Sequence, residues 1–244
     1  MTENARGPLL LIHGFPLDGR IWEKVTPAIR VPGMVVPDLP GHGKSPALRG
    51  PVSIDDYARE MLKIMDFQKI ERFAVAGHSM GGYIAFALLR LAPQRISALA
   101  LVSSRALPDS DDIKKTREAT AQRAEKEGPG FLAGTMPERA VGSSPPPGVV
   151  DILRKIIREA QPKGVAADSR AMANRPDATP QLGSIQIPTL VLAGRGDKIV
   201  PAAESEAMAN AIPGAKLVWC EKSGHVPMLE EPEIVTRELA ALVQ

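Results

Sequence analysis

The chain has 244 residues, 44% of them hydrophobic and 24% charged, a balance that fits a folded globular protein and excludes collagenous, disordered and membrane-spanning classes. Thirty basic residues against 28 acidic ones leave a net charge of +2, and no basic run is dense enough to point to nucleic acid. The single cysteine, Cys220, has no partner for an internal disulfide, and the first residues lack a signal-peptide pattern, so a soluble, cytoplasmic protein is expected.

In chain order, the apolar run at 9–12 reads as a strand and is followed by His13-Gly14-Phe15-Pro16. A second strand, at 34–36, leads to Asp38 and His42. Ser53 and Asp56 form a cap-like start to a helix whose apolar stripe holds Ile54, Tyr57, Met61, Leu62, Ile64 and Met65. The third strand, 73–76, runs into Gly77-His78-Ser79-Met80-Gly81-Gly82, and a helix is expected over 83–92. A fourth strand lies at 99–102. Residues 109–182 then show no strand-like run, only helical patterns at 113–127 and 149–160 broken by Gly-Pro-Gly and a Ser-Pro-rich stretch. Strands at 189–192 and 216–219 precede Gly194-Arg195-Gly196-Asp197 and Ser223-Gly224-His225, and the chain closes with a helix over 230–243.

The strands lack polar alternation, as strands covered on both faces do. Alternation with helices predicts an α/β fold: a mostly parallel sheet of about six strands, formed by 1–108 and 183–244, with 109–182 inserted as a helical cap. In such sheets ligands bind beyond the carboxyl ends of the strands. There the sequence places a serine, an acid and a histidine in order: Ser79, Asp197 and His225.

Gly-x-Ser-x-Gly alone is weak, expected roughly 0.1 times by chance in such a chain; its position after a strand, together with the downstream acid and base, gives it weight. A serine on a tight strand-to-helix turn exposes its hydroxyl, and Gly77 and Gly81 allow neighbouring chain to pass closely. Serine needs a neutral imidazole to take its proton, a role that fits His225, with Asp197 holding its tautomer. His13, His42 and His78 read as structural, and Asp38 is a second acid that comes too early for the order. The backbone N–H groups of Met80 and Phe15 are the expected oxyanion donors. Phe15, Phe131, Met136, Met172, Val200, Val226 and Met228 are candidate pocket residues.

The segments LLLIHGFPLDGRIW, VVPDLPGHGKSP, AVAGHSMGGYIAFAL, IPTLVLAGRGDKIVP and EKSGHVPMLEEP occur in family order, and the sequence resembles the α/β-hydrolase superfamily over nearly its whole length. More narrowly, it is similar to small bacterial carboxylesterases close to the 3-oxoadipate enol-lactonase and non-heme haloperoxidase groups. The resemblance implies Ser79, Asp197 and His225 as the triad, Phe15 and Met80 as the oxyanion hole, and the insertion as a lid over the acyl pocket. Family members carry two strands before the one ending in His-Gly; with only eight residues before Leu9, a different sheet edge is expected here. The implied activity is hydrolysis of short to medium acyl esters without metal or organic cofactor. A lactonase or perhydrolase on the same triad, or a binding protein of this fold with little turnover, are the alternatives. The expected partner is a small-molecule ester, with no nucleic acid or membrane partner. A carrier-protein ester is disfavoured by the near balance of charge in the insertion, despite a local cluster of Arg154, Lys155 and Arg158.

Overall fold

The computed structural model describes residues 6–31 and 33–244. Six strands, β1 (Leu9–Ile12), β2 (Met34–Val35), β3 (Phe73–His78), β4 (Ile96–Val102), β5 (Thr189–Gly194) and β6 (Lys216–Cys220), form one sheet. Its order is β2-β1-β3-β4-β5-β6, and every neighbouring pair is parallel. Around it lie α1 (Ile54–Phe67), α2 (Met80–Leu91), α3 (Asp111–Glu127), α4 (Gly130–Ala133), α5 (Met136–Ala140), α6 (Val149–Glu159), α7 (Pro162–Ala173), α8 (Ala202–Ala211), α9 (Pro227–Glu230) and α10 (Pro232–Val243). None of the described helices is long and apolar enough to cross a membrane.

Successive strand residues point to opposite faces, so each apolar run supplies two cores. Leu10, Ile12, Val75, Leu99, Leu101 and Val191 pack with α1, α2 and α8, whereas Leu9, Leu11, Leu190 and Leu192 pack with Trp22 and α10. On the second face β3 and β4 carry alanines at 74, 76, 98 and 100, which brings α10 close to the sheet.

Ser53 accepts the Asp56 N–H while the Asp56 carboxylate accepts the Ser53 N–H, so α1 starts where the capping pattern predicts. The fourth strand begins three residues earlier than its apolar run suggests, because Ser97 sits buried in the ladder with its hydroxyl donating to the Arg6 carbonyl. α2 begins at Met80 rather than 83. Glycines at 81 and 82 lower helix propensity, but the turn at Ser79 feeds straight into the helix and needs them for close approach.

Between β4 and β5 the described chain forms only helices. α3 and α7 pack together, and their apolar residues continue the first core, while Leu153, Ile156 and Ile157 of α6 join the second. Strand order reverses direction at β1 and β3, so the loops leaving these two strands open a crevice at the carboxyl edge.

Candidate active site

Ser79 sits in that crevice, between the last residue of β3 and the first of α2, with φ 51° and ψ −113°. A non-glycine residue in this region carries strain on the order of 1–3 kcal/mol, and surrounding bonds must hold it there. Its N–H donates to the Val102 carbonyl (2.9 Å), and its carbonyl accepts from the Gly82 N–H (2.9 Å) and the Ser104 hydroxyl (2.8 Å). A Cβ on Gly77 would stand 2.2 Å from the Gly81 carbonyl oxygen, and one on Gly81 would stand 2.5 Å from that of Ile12. The turn therefore admits no side chain at either position. The loop after β1 lies against it: a Cβ on Gly14 would stand 2.9 Å from Ser79 Cβ. Phe15 follows Gly14 directly in the loop after β1, and Met80 follows Ser79 as the first residue of α2.

His225 is buried in the loop after β6, and its Nδ1 lies 2.7 Å from Asp197 Oδ2. A carboxylate accepts, so Nδ1 donates to it and in the neutral form of the ring Nε2 carries the lone pair. Asp197, in the loop after β5, turns its other oxygen to the N–H groups of Ile199 (2.8 Å) and Val200 (3.0 Å). Burial works to raise the Asp197 carboxyl, but the charge and hydrogen bond of His225 and these two N–H donors outweigh it and hold it below the usual range. A serine on a strained turn at a helix start, and a histidine braced by a carboxylate, are parts that nucleophilic attack on a carbonyl uses.

The His225 backbone is fixed as firmly as its ring. Its N–H donates to the Ala140 carbonyl (2.7 Å) and its carbonyl accepts from His78 Nε2 (2.8 Å). Burial and the neighbouring His225 push His78 down to about 3, so that ring is a neutral donor. Glu230, on α9, is buried; its two oxygens accept the N–H groups of Gly142 and Gly224, each at 2.8 Å. Burial raises its carboxyl above the usual range. Glu231 accepts the Lys222 N–H and the Ser223 hydroxyl, completing the frame of the loop. Sequence reading missed Glu230, Glu231 and Ser104. The adjacent glutamates resemble ordinary exposed acids at a helix start, and their closeness in sequence to His225 was the available signal.

The remaining histidines lie elsewhere. His13 Nε2 accepts the Leu39 N–H (2.8 Å), and burial together with His42 pushes it down to about 4. His42 Nε2 lies 2.7 Å from Asp168 of α7, which also accepts the Tyr57 hydroxyl of α1. Burial would lower His42, but Asp168 prevails and raises it. Asp38 accepts the N–H groups of Gly19 and Lys44 and belongs to its own loop.

A cavity of about 260 Å³ opens beside Phe15, walled by Arg105, Arg117, Met136, Arg139 and Ile199 among others. Thus Phe15 and Met136 border it. Val200 is buried next to Ile199, and Phe131 is half-buried under the Arg123 guanidinium, 4.2 Å from its ring centre. Met172, Val226 and Met228 are packed in the two cores and are not among the residues bordering the cavity. The arginines went unnoticed in the sequence because they come from three separate segments.

Residues 9–238 match the alpha/beta hydrolase family. A thermophilic esterase from Thermogutta terrifontis, solved with malate bound, superposes with a TM-score of 0.94 at 38% identity, covering 98% of this chain and 89% of its own. The enol-lactonase from Burkholderia xenovorans LB400 gives 0.87 at 26% identity, covering 99% and 93%. The dihydrolipoyllysine-residue acetyltransferase component of the acetoin cleaving system of Pseudomonas putida is 28% identical over 252 residues; the match takes in 97% of this chain but spans 63% of that longer protein.

Proposed function

Because the chain belongs to the alpha/beta hydrolase family, we propose that it is a serine carboxylesterase acting on short to medium acyl esters through an acyl-enzyme. The observation that carries this reading is the strained Ser79 on the turn from β3 into α2, with Asp197 bonded to His225 Nδ1 so that Nε2 is the nitrogen left for the reaction. The likeness to an esterase at 38% identity supports it.

In this reading His225 Nε2 takes the proton of the Ser79 hydroxyl as the oxygen attacks the ester carbonyl. The oxygen that gains charge is met by the N–H groups of Phe15 and Met80, aided by the N-terminus of α2. His225 then passes its proton to the departing alcohol, and the acyl group remains on Ser79. Water activated by the same imidazole releases the acid. Asp197 keeps the proton on Nδ1 throughout and stabilises the imidazolium. Helices α3 to α7 form the cap over the site, and a small-molecule ester is the partner.

The test is hydrolysis of p-nitrophenyl acetate, butyrate, octanoate and laurate by wild type and Ser79→Ala. Short esters turned over by the wild type, with a loss of about three orders of magnitude or more in kcat for the variant, is the expected result. Retained activity in the variant refutes the nucleophile. Binding without turnover of any ester moves the protein to a ligand-binding role.

A further inference from the structure

We propose that the preferred substrate of this site is an ester that carries a carboxylate on one arm, and that Arg139 is the specificity-determining residue that receives it. The inference rests on the esterase reading above and adds the substrate class.

The cavity beside Phe15 holds three guanidinium groups, Arg105, Arg117 and Arg139, and among the described residues no aspartate or glutamate borders it. Its other polar residues are Thr116, Thr120 and Thr135, and a hydroxyl donates as readily as it accepts. Two of the arginines are anchored. Arg117 Nε lies 3.1 Å from Asp109 Oδ2, while Arg105 reaches Asp109 Oδ1 at 3.2 Å and Glu204 at 3.3 Å. Asp109 is buried and also takes Arg175 at 2.8 Å. Two carboxylates thus serve three guanidiniums.

Arg175 lies outside the cavity lining, and Arg139 is the third guanidinium of the wall. It projects from α5 at the rim of the cavity, is exposed, and has no ion-pair or hydrogen-bond partner among the described residues. Its neighbour Glu138 is engaged by Arg154. The wall is therefore positive in excess of its own counter-ions. Arg105 follows Ser104, whose hydroxyl holds the Ser79 carbonyl, so this positive wall starts one residue from the frame of the nucleophile. A wall of this sign raises the local concentration of an anionic ester, and a planar guanidinium matches a carboxylate with two parallel hydrogen bonds. Purely apolar acyl chains gain nothing from it.

Two matched pairs test the idea: p-nitrophenyl hydrogen adipate against p-nitrophenyl 6-methylheptanoate for the acyl arm, and 4-carboxyphenyl against 4-isopropylphenyl butanoate for the alcohol arm. For wild type, Arg139→Gln and Arg139→Lys, the quantity read is the ratio of kcat/KM for the anionic over the neutral member. In one pair the wild-type ratio is expected to fall about tenfold or more on Arg139→Gln, mainly through KM, with partial retention in Arg139→Lys. Added salt is expected to weaken the wild-type preference. Ratios unchanged by Arg139→Gln in both pairs overturn the inference while leaving the esterase reading intact. No hydrolysis of any member by the wild type overturns both.

Discussion

At Ser79 the backbone is held at φ 51° by one donor bond to β4 and two acceptor bonds at its carbonyl. Helix propensity alone favours alanine over glycine at 81 by about 1 kcal/mol. The contact runs the other way: a Cβ there meets the Ile12 carbonyl at 2.5 Å, and neither backbone has room to retreat. Gly81→Ala is expected to lower both the melting temperature and kcat, seen by thermal unfolding and ester hydrolysis on the same preparation. Asp197→Asn keeps the shape of the site but removes the acceptor that fixes the His225 tautomer. A kcat loss of about 10⁴ with little change in melting temperature is the expected outcome.

Between elements, two buried carboxylates tie the helical insertion to the sheet. Glu230 joins Gly142, beyond α5, to Gly224, beside His225. Glu230→Ala leaves two buried N–H groups without acceptors, at about 1–3 kcal/mol each. As a positioning residue Glu230 acts through the histidine loop, so kcat is expected to fall more than KM changes, with partial rescue in Glu230→Gln. Asp168 of α7 holds His42 from the loop after β2 and Tyr57 from α1. Breaking such a pair from one side costs about 3–5 kcal/mol, which is the loss expected for Asp168→Asn. Because the folded protein raises His42 above its ordinary 6.5, the pair's stabilisation is complete below that value and is lost as pH rises through the folded value. The melting-temperature gap between wild type and Asp168→Asn is accordingly expected to be widest in mildly acidic buffer and to narrow in alkaline buffer.

Across the molecule, the same two cores that flank the sheet extend into the helical insertion, so α3, α6 and α7 share the interior of the fold. Their seating depends on one backbone-to-backbone approach: a Cβ on Gly164 of α7 would stand 2.2 Å from the Gly41 carbonyl oxygen. Gly164→Ala must lift α7 from the loop after β2. Overpacking of this kind costs about 1–3 kcal/mol, or on the order of 2–12 °C in melting temperature at this chain length. An accompanying rise in KM, with kcat less affected, is the outcome expected from the proposal that the insertion is a cap over the site.

The sheet, the order of its six strands along the chain and the loops that carry Ser79, Asp197 and His225 are legible in the amino-acid sequence, because these depend on local patterns: apolar runs, caps, and glycines beside turns. The reading of 109–182 as strandless rested on the same periodicity. What those loops lean on is visible in the folded chain alone. Glu230, Ser104, Asp168 and Arg175 are polar residues whose sequence neighbours suggest solvent, yet each reaches a partner in a distant segment. The same holds for the division of apolar residues between cavity and core: Met136 borders open space while Met172 and Met228 are sealed, although one-dimensional spacing treats all three alike. Burial and charge compensation are properties of segments brought together, so they become readable once the chain has closed on itself.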